Sequence, residues 1–189
     1  AVADYRLTGN PKSRTRGLHA ANILAGRFNP AGNYIRAWNE DKTGWMIVDC
    51  LMNVPLLYWA GRELKDPRFE EIARRHTDTA VKYLQRPDGS CNHIAVFDPL
   101  TGEPLEFPAG QGYAEGSSWS RGQAWSVYGF ALGYRHTGTK EYLEAAKRAA
   151  HYFIANVACT GFVSLLDFRA PEEPVCWDTS AAACAACGL

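Results

Sequence analysis

Asp49 is the acid whose surroundings most invite chemistry in this sequence. It lies in Trp45-Met-Ile-Val-Asp-Cys-Leu-Met52, where all its neighbours are apolar. Two uses fit a carboxyl in that setting. It can sit at a helix start and accept hydrogen bonds from free backbone amides. Alternatively, burial favours its protonated form and suits it to donating a proton near neutral pH. His93, between Asn92 and Ile94, is a second candidate, although a lone histidine more often serves packing than chemistry. Gln111, Trp119, Arg121, Gln123 and Trp125 then crowd the glycine-rich Gly110-Gln-Gly-Tyr113 and the segment after it. That mixture suits an acidic sugar: indoles stack on a pyranose ring, amides bond its hydroxyls, and a guanidinium pairs with its carboxylate. It equally suits a Trp-rich helix packed against its neighbours. On a helix Arg121 and Trp125 share a face, so Arg121 either meets a ligand carboxylate or pairs with an acid of the protein wall.

The elements that must position these residues read as helical. Residues 16–27 form one candidate helix, with Leu18, Ala21, Leu24 and Ala25 on one face. Residues 28–44 are rich in turn signals. Residues 45–64 read as a long apolar helix carrying Asp49 near its start, with Pro55 kinking or splitting it. Helices are further expected over 67–85, 119–136, 140–156 and 178–189. Residues 90–97 read as a short strand, with 105–107 as its candidate hairpin partner across Asp98-Pro-Leu-Thr-Gly102.

An apolar helix followed by an amphipathic one occurs twice, at 45–64 with 67–85 and at 119–136 with 140–156. Helices apolar all round belong inside and one-faced helices outside. The expected architecture is therefore a toroid of helical hairpins, with a third inner helix opening at Asp178. A closed ring needs more hairpins than 189 residues supply, and the chain begins at Ala1 and finishes in an apolar run. Residues 1–189 are thus read as a partial α/α-barrel catalytic domain with both ends cut. The long connection before Trp119 is a usual place for a binding site.

Composition excludes other classes. Twenty basic and twenty acidic residues cancel, leaving no field to draw the molecule to nucleic acid or an anionic membrane. No segment has the length and apolarity of a membrane span, and no signal peptide opens the chain, so a cytoplasmic protein is expected. The six cysteines, at 50, 91, 159, 176, 184 and 187, make no zinc pattern and are expected to be reduced and half-buried. Cys184-Ala-Ala-Cys187 lacks the strand-loop-helix context of a redox pair. No metal-ligand set stands out, no cofactor is expected, and no feature sets an oligomeric state.

Four ordered motifs carry a family resemblance. Trp45-Met-Ile-Val-Asp-Cys-Leu-Met-Asn-Val-Pro-Leu-Leu-Tyr-Trp59 resembles the inner-helix motif around the catalytic aspartate of the unsaturated glucuronyl hydrolases. Arg86-Pro-Asp-Gly-Ser-Cys-Asn-His93, with Phe97-Asp-Pro-Leu-Thr-Gly102, is similar to the hairpin that follows it. Gln111-Gly-Tyr113 and Ser118-Trp-Ser-Arg-Gly-Gln-Ala-Trp125 resemble that family's most specific signature, and the segment from Asp178 to Gly188 a later one. The resemblance implies an all-α, (α/α)6 six-hairpin barrel. It implies a glycoside hydrolase acting on an oligosaccharide that ends in a 4,5-unsaturated uronic acid. It makes Asp49 the general acid and base and places His93, Gln111, Trp119, Arg121 and Trp125 in the substrate pocket, with no metal and no cofactor. A second aspartate of the family lies upstream of any position here. Two alternatives remain. The unsaturated rhamnogalacturonyl hydrolases typically carry Gly-Asn-Gly-Trp where this chain has Ser120-Arg-Gly-Gln-Ala-Trp125. A non-catalytic carbohydrate-binding toroid would use the same Trp-rich surface.

Overall fold

The computed structural model describes residues 1–189. It is predominantly helical: α1 (Val2–Thr8), α2 (Pro11–Ala25), α3 (Val54–Leu64), α4 (Pro67–Tyr83), α5 (Ser120–Thr137), α6 (Lys140–Ala158) and α7 (Thr179–Gly188). The first two of these helices depart from what the apolar periodicity suggests. α1 has no counterpart in the expected elements. α2 opens at Pro11 because the Asn10 side chain accepts from Lys12 N at 3.0 Å and proline needs no amide partner in a first turn.

The apolar run 45–64 is not one helix. It divides into strand β3 (Trp45–Ile47), a 3₁₀ turn (Val48–Met52) and α3, with Pro55 in the first turn of α3. Proline has no N–H to give and its ring crowds the preceding turn, so it can open a helix but breaks one that tries to pass through. Upstream of it, the backbone groups of Trp45–Ile47 are spent on strand pairing. Asp49 therefore stands on a short 3₁₀ turn.

Strand β3 is the edge of a three-stranded antiparallel sheet with β4 (Ile94–Phe97) at its centre and β5 (Pro104–Glu106) beyond. Trp45, Met46 and Ile47 face Val96, Ala95 and Ile94 in turn. β4 is buried along its length, whereas β5 is exposed. Within the expected turn region a second small hairpin pairs β1 (Phe28–Asn29) with β2 (Tyr34–Ile35).

The helices alternate as the repeat implies. α4 buries one stripe, Phe69, Ala73, His76, Thr77 and Ala80, and α6 another, Tyr142, Ala145, Ala149, Phe153 and Val157. α5 is buried on several sides and packs on α6, α7 and the 3₁₀ turn, while α3 packs on α4 and α2. Gly129 permits the approach of α5 to that turn: a Cβ there would lie 2.4 Å from Leu51 Cβ. One core joins Met46, Val48 and Leu51 to Leu84, Phe97 and Phe130, tying the sheet to α5.

All six cysteines are unpaired. Cys50 and Cys91 are buried, whereas Cys159, Cys176 and Cys187 are exposed rather than half-buried. No helix is long and apolar enough to cross a membrane. No three His, Cys, Asp or Glu side chains gather as a metal site would require.

Candidate active site

The register of the sheet brings Asp49 and His93 together. Ile47 faces Ile94 across the β3–β4 pair, and Val48 N donates to His93 O at 3.0 Å just beyond it. Asp49 lies just past the end of β3, and His93 immediately precedes β4. Their side chains meet with His93 Nε2 3.3 Å from Asp49 Oδ2. The pair is close without being aligned: Oδ2 is buried and makes no hydrogen bond, while 32% of the Asp49 side chain stays open. Asp49 also accepts no backbone amide, and the residue at the N-cap of its 3₁₀ turn is Ile47. Capping is thus not what this carboxylate does.

The tautomer of His93 follows from its other nitrogen. Gln111 N donates to His93 Nδ1 at 2.9 Å. A ring nitrogen that accepts carries no proton, so the neutral ring holds its hydrogen on Nε2, the atom facing Asp49. Gly110 makes that amide reachable. Its φ is +62°, and a Cβ there would lie 2.1 Å from His93 Nδ1. Trp119, only 3% exposed, backs the imidazole with ring centroids 4.6 Å apart.

Arg121 completes the cluster from the first turn of α5. Its Nη2 donates to Gln111 Oε1 at 3.3 Å and its Nη1 to Ser180 Oγ at 3.0 Å, and its guanidinium lies 5.0 Å from the Trp119 ring. Nη1 is also 3.2 Å from Asp178 Oδ2. The wall acid weighed as a partner for Arg121 therefore exists. Asp178 is buried and accepts with Oδ1 from Ser180 N and Ala181 N, capping α7. The starts of α5 and α7 consequently lie against each other. A third of the Arg121 side chain remains exposed.

Comparison with known proteins places this chain. No family model matches the chain. The unsaturated glucuronyl hydrolase of Bacillus sp. (strain GL1) is 40% identical over 194 residues, covering 100% of this chain and 51% of that protein. The unsaturated chondroitin disaccharide hydrolase of Streptococcus pyogenes serotype M1 is 35% identical over 193 residues, covering 100% and 48%. A crystal structure of the unsaturated glucuronyl hydrolase from Bacillus sp. GL1 matches with a TM-score of 0.94 at 39% identity, covering 98% of this chain and 50% of that one. This chain belongs to the unsaturated glucuronyl hydrolase family. It spans about half the length of the curated relatives it matches. Its hairpins are part of the (α/α)6 toroid of the unsaturated glucuronyl hydrolases.

Not every residue of the family signature in this chain sits in the cluster. Trp125, one helical turn from Arg121, is half-buried against the core that holds Met46, Val48 and Leu51. Gln123 is wholly structural: it accepts from Cys91 N at 2.8 Å and donates to Gly89 O at 2.8 Å and Ala149 O at 3.1 Å.

Residues that were not among the site candidates hold the site's loop. Asp167 is buried and accepts from Ser118 N and Arg169 N at 2.9 Å and from Tyr113 N at 3.0 Å. It pins both ends of the segment between Gln111 and Trp119. Arg86 donates to Gly116 O and Ser117 O at 2.9 and 2.6 Å, and Arg169 donates to the same Gly116 carbonyl at 2.8 Å. Burial and the nearby Arg169 draw the Arg86 guanidinium below its ordinary pKa, a cost the surrounding carbonyls offset. Burial likewise pushes the Cys91 thiol up to about 12, so it is an inert core group. An acid inside the apolar Leu165-Leu-Asp-Phe168 was the available signal for Asp167, for the same reason that singled out Asp49.

Proposed function

We propose that the protein carrying this chain releases a 4,5-unsaturated uronic acid from lyase-generated oligosaccharides, with Asp49 as its general acid and base. The observation that carries this reading is the Asp49–His93 pair. A partly open carboxylate, free of capping duty, lies beside a histidine whose fixed tautomer puts its hydrogen on the nitrogen nearest that carboxylate. Family membership and a relative named for an unsaturated chondroitin disaccharide support the same substrate class.

The substrate's C4=C5 bond is a vinyl ether conjugated with a carboxylate. Protonated Asp49 gives its proton to C4, and the positive charge that develops at C5 is shared with the ring oxygen. Water adds at C5 and passes a proton to the ionised Asp49. The hemiketal opens, leaving a keto group at C5 and a hemiacetal at C1. Collapse at C1 expels the neighbouring sugar. One carboxyl thus serves first as acid and then as base, unlike displacement at C1 by paired carboxylates. His93 Nε2–H steadies the ionised form between the two transfers. Arg121, held by Asp178 and Gln111, offers its open edge to the substrate carboxylate. Trp119 supports His93 from within the wall. Six unpaired cysteines, three of them exposed, fit a reducing compartment and hence a cytoplasmic location.

Asp49→Asn in the protein carrying this chain tests the reading. The change keeps size and shape and removes the transferable proton. Turnover, followed as loss of the absorbance of the conjugated double bond, is expected to fall by about 10³-fold or more, with substrate affinity nearly unchanged. A variant still working within ten-fold of wild type would remove Asp49 from the chemistry.

A further inference from the structure

Asp167 is 2% exposed, and the guanidinium nearest to it in sequence, that of Arg169, goes instead to Asp88 and Gly116 O. A carboxylate that dry is tolerable only when its oxygens are hydrogen-bonded. Backbone amides meet that need: Oδ1 accepts from Ser118 N and Arg169 N at 2.9 Å, and Oδ2 from Tyr113 N at 3.0 Å.

The two oxygens have different tasks. Residues 118–120 and 166–168 are already joined by their backbones, Ser120 N donating to Leu166 O at 3.0 Å and Phe168 N to Ser118 O at 2.9 Å. Oδ1 reinforces a contact that the backbone makes for itself. Oδ2 makes one that nothing else makes. The neighbouring backbone hydrogen bonds, Gly112 N to Ala109 O and Ser117 N to Ala114 O, stay inside the loop. Tyr113 N therefore anchors residues 112–115 to the rest of the molecule, two residues from the Gln111 amide that locks His93. The far end of the loop has its own hold, Arg86 on Gly116 O and Ser117 O. Gly112 leaves room for the contact: a Cβ there would lie 3.2 Å from Asp167 Oδ2 and 2.5 Å from Ser117 Oγ.

We propose that Asp167 is a positioning residue for the reaction: by holding Tyr113 N it keeps the Gln111 amide on His93 Nδ1, and so keeps the His93 hydrogen on Nε2, beside Asp49. The proposal deepens the hydrolase reading and rests on it. Asp167 acts only through His93. Without the amide, the neutral ring can carry its hydrogen on Nδ1 instead, which sets a bare Nε2 lone pair against the ionised carboxylate. The penalty falls on the steps in which Asp49 is ionised, hence on kcat more than on KM.

Four proteins test this on an unsaturated chondroitin disaccharide: wild type, Asp167→Asn, His93→Leu and the double variant. Asparagine keeps one acceptor oxygen. Set toward Ser118 N and Arg169 N, it retains two contacts and turns its NH2 group on the Tyr113 amide, donor against donor. Asp167→Asn is expected to lower kcat about ten-fold, with KM within about three-fold of wild type. In the His93→Leu background the same change is expected to cost less than about two-fold, because residues that act as one unit are not additive. Gly112→Ala crowds the same contact from the loop side without altering the buried acid, and is expected to act in the same direction. The ring gives a second readout that needs no turnover. In protein carrying isotope-labelled histidine, at about pH 8 where an ordinary imidazole is neutral, nitrogen NMR is expected to show His93 as the Nε2–H tautomer in wild type and as a mixture in Asp167→Asn. No loss of kcat, an equal loss in both backgrounds, or an unchanged tautomer would overturn the proposal and leave the hydrolase reading standing. A wild type with the fixed tautomer that cleaves no unsaturated disaccharide would overturn the hydrolase reading, and with it the catalytic use of that tautomer.

Discussion

His76 and His93 each accept a backbone amide on Nδ1, from Ile35 at 3.0 Å and from Gln111 at 2.9 Å. Both rings are buried. Each joins a distant segment to the element that carries it, His76 tying β2 to α4 and His93 tying the glycine-rich loop to the sheet. They part at Nε2. That of His76 is buried with no partner, and burial pushes the ring's pKa down to about 3. That of His93 faces a carboxylate that is one-third open. An amide lock thus fixes a neutral tautomer in both places, and the group opposite the free N–H decides whether the ring is a strut or part of a site.

The same substitution at the two positions gives the largest contrast. His93→Leu is expected to lower kcat/KM on an unsaturated disaccharide by about 100-fold, as loss of a positioned acid–base partner does. His76→Leu is expected to leave kcat/KM within two-fold. Comparable activity losses in both would dissolve the distinction between strut and site.

Stability gives the second contrast. His76→Leu leaves Ile35 N unpaired in the core, which costs roughly 1–3 kcal/mol in urea unfolding. That cost depends on pH. The unfolded ring takes a proton below its ordinary 6.5, whereas the folded one resists down to about 3. The His76 contribution is therefore whole above pH 6.5 and is lost progressively as pH falls toward 3. The stability gap between wild type and His76→Leu should narrow between pH 7 and pH 4. A gap constant over that window would mean that His76 does not resist protonation.

The smallest effect tests the loop that presents the amide to His93. Gly110→Ala meets His93 Nδ1 and strains a backbone at φ +62°. It is expected to cost about 1 kcal/mol and to lower kcat as the imidazole is displaced. Gly138→Ala is the control, because φ is +72° there and no atom lies within 4 Å of the added Cβ. It should lose less stability, the backbone strain alone, and no activity. Equal activity of the two variants would separate the loop from the chemistry.

Much of this molecule is written locally. The stripes of α4 and α6 recur every three or four residues, because a helix returns a side chain to the same face at that interval. Ile94–Phe97 reads as a strand from four apolar residues beside a turn. The motif residues around Asp49 and Trp119 carry the family resemblance without any geometry. The fate of 45–52 was not legible in the same way. A short apolar run suits a buried strand as well as a helix, and the partner that settled the matter, β4, lies beyond both α3 and α4.

Residue types and periodicity were enough for the helical hairpins, their inner and outer order, and the roll of candidate residues. Those properties depend on neighbours within a turn or two. Tertiary structure alone decided that Asp49 faces His93 instead of capping a helix, because strand register sets that meeting. It alone decided that Arg121 is held by Asp178 and that Asp167 closes the loop over both. Each of these is a contact between segments far apart in the chain, and its geometry exists only once the elements have packed.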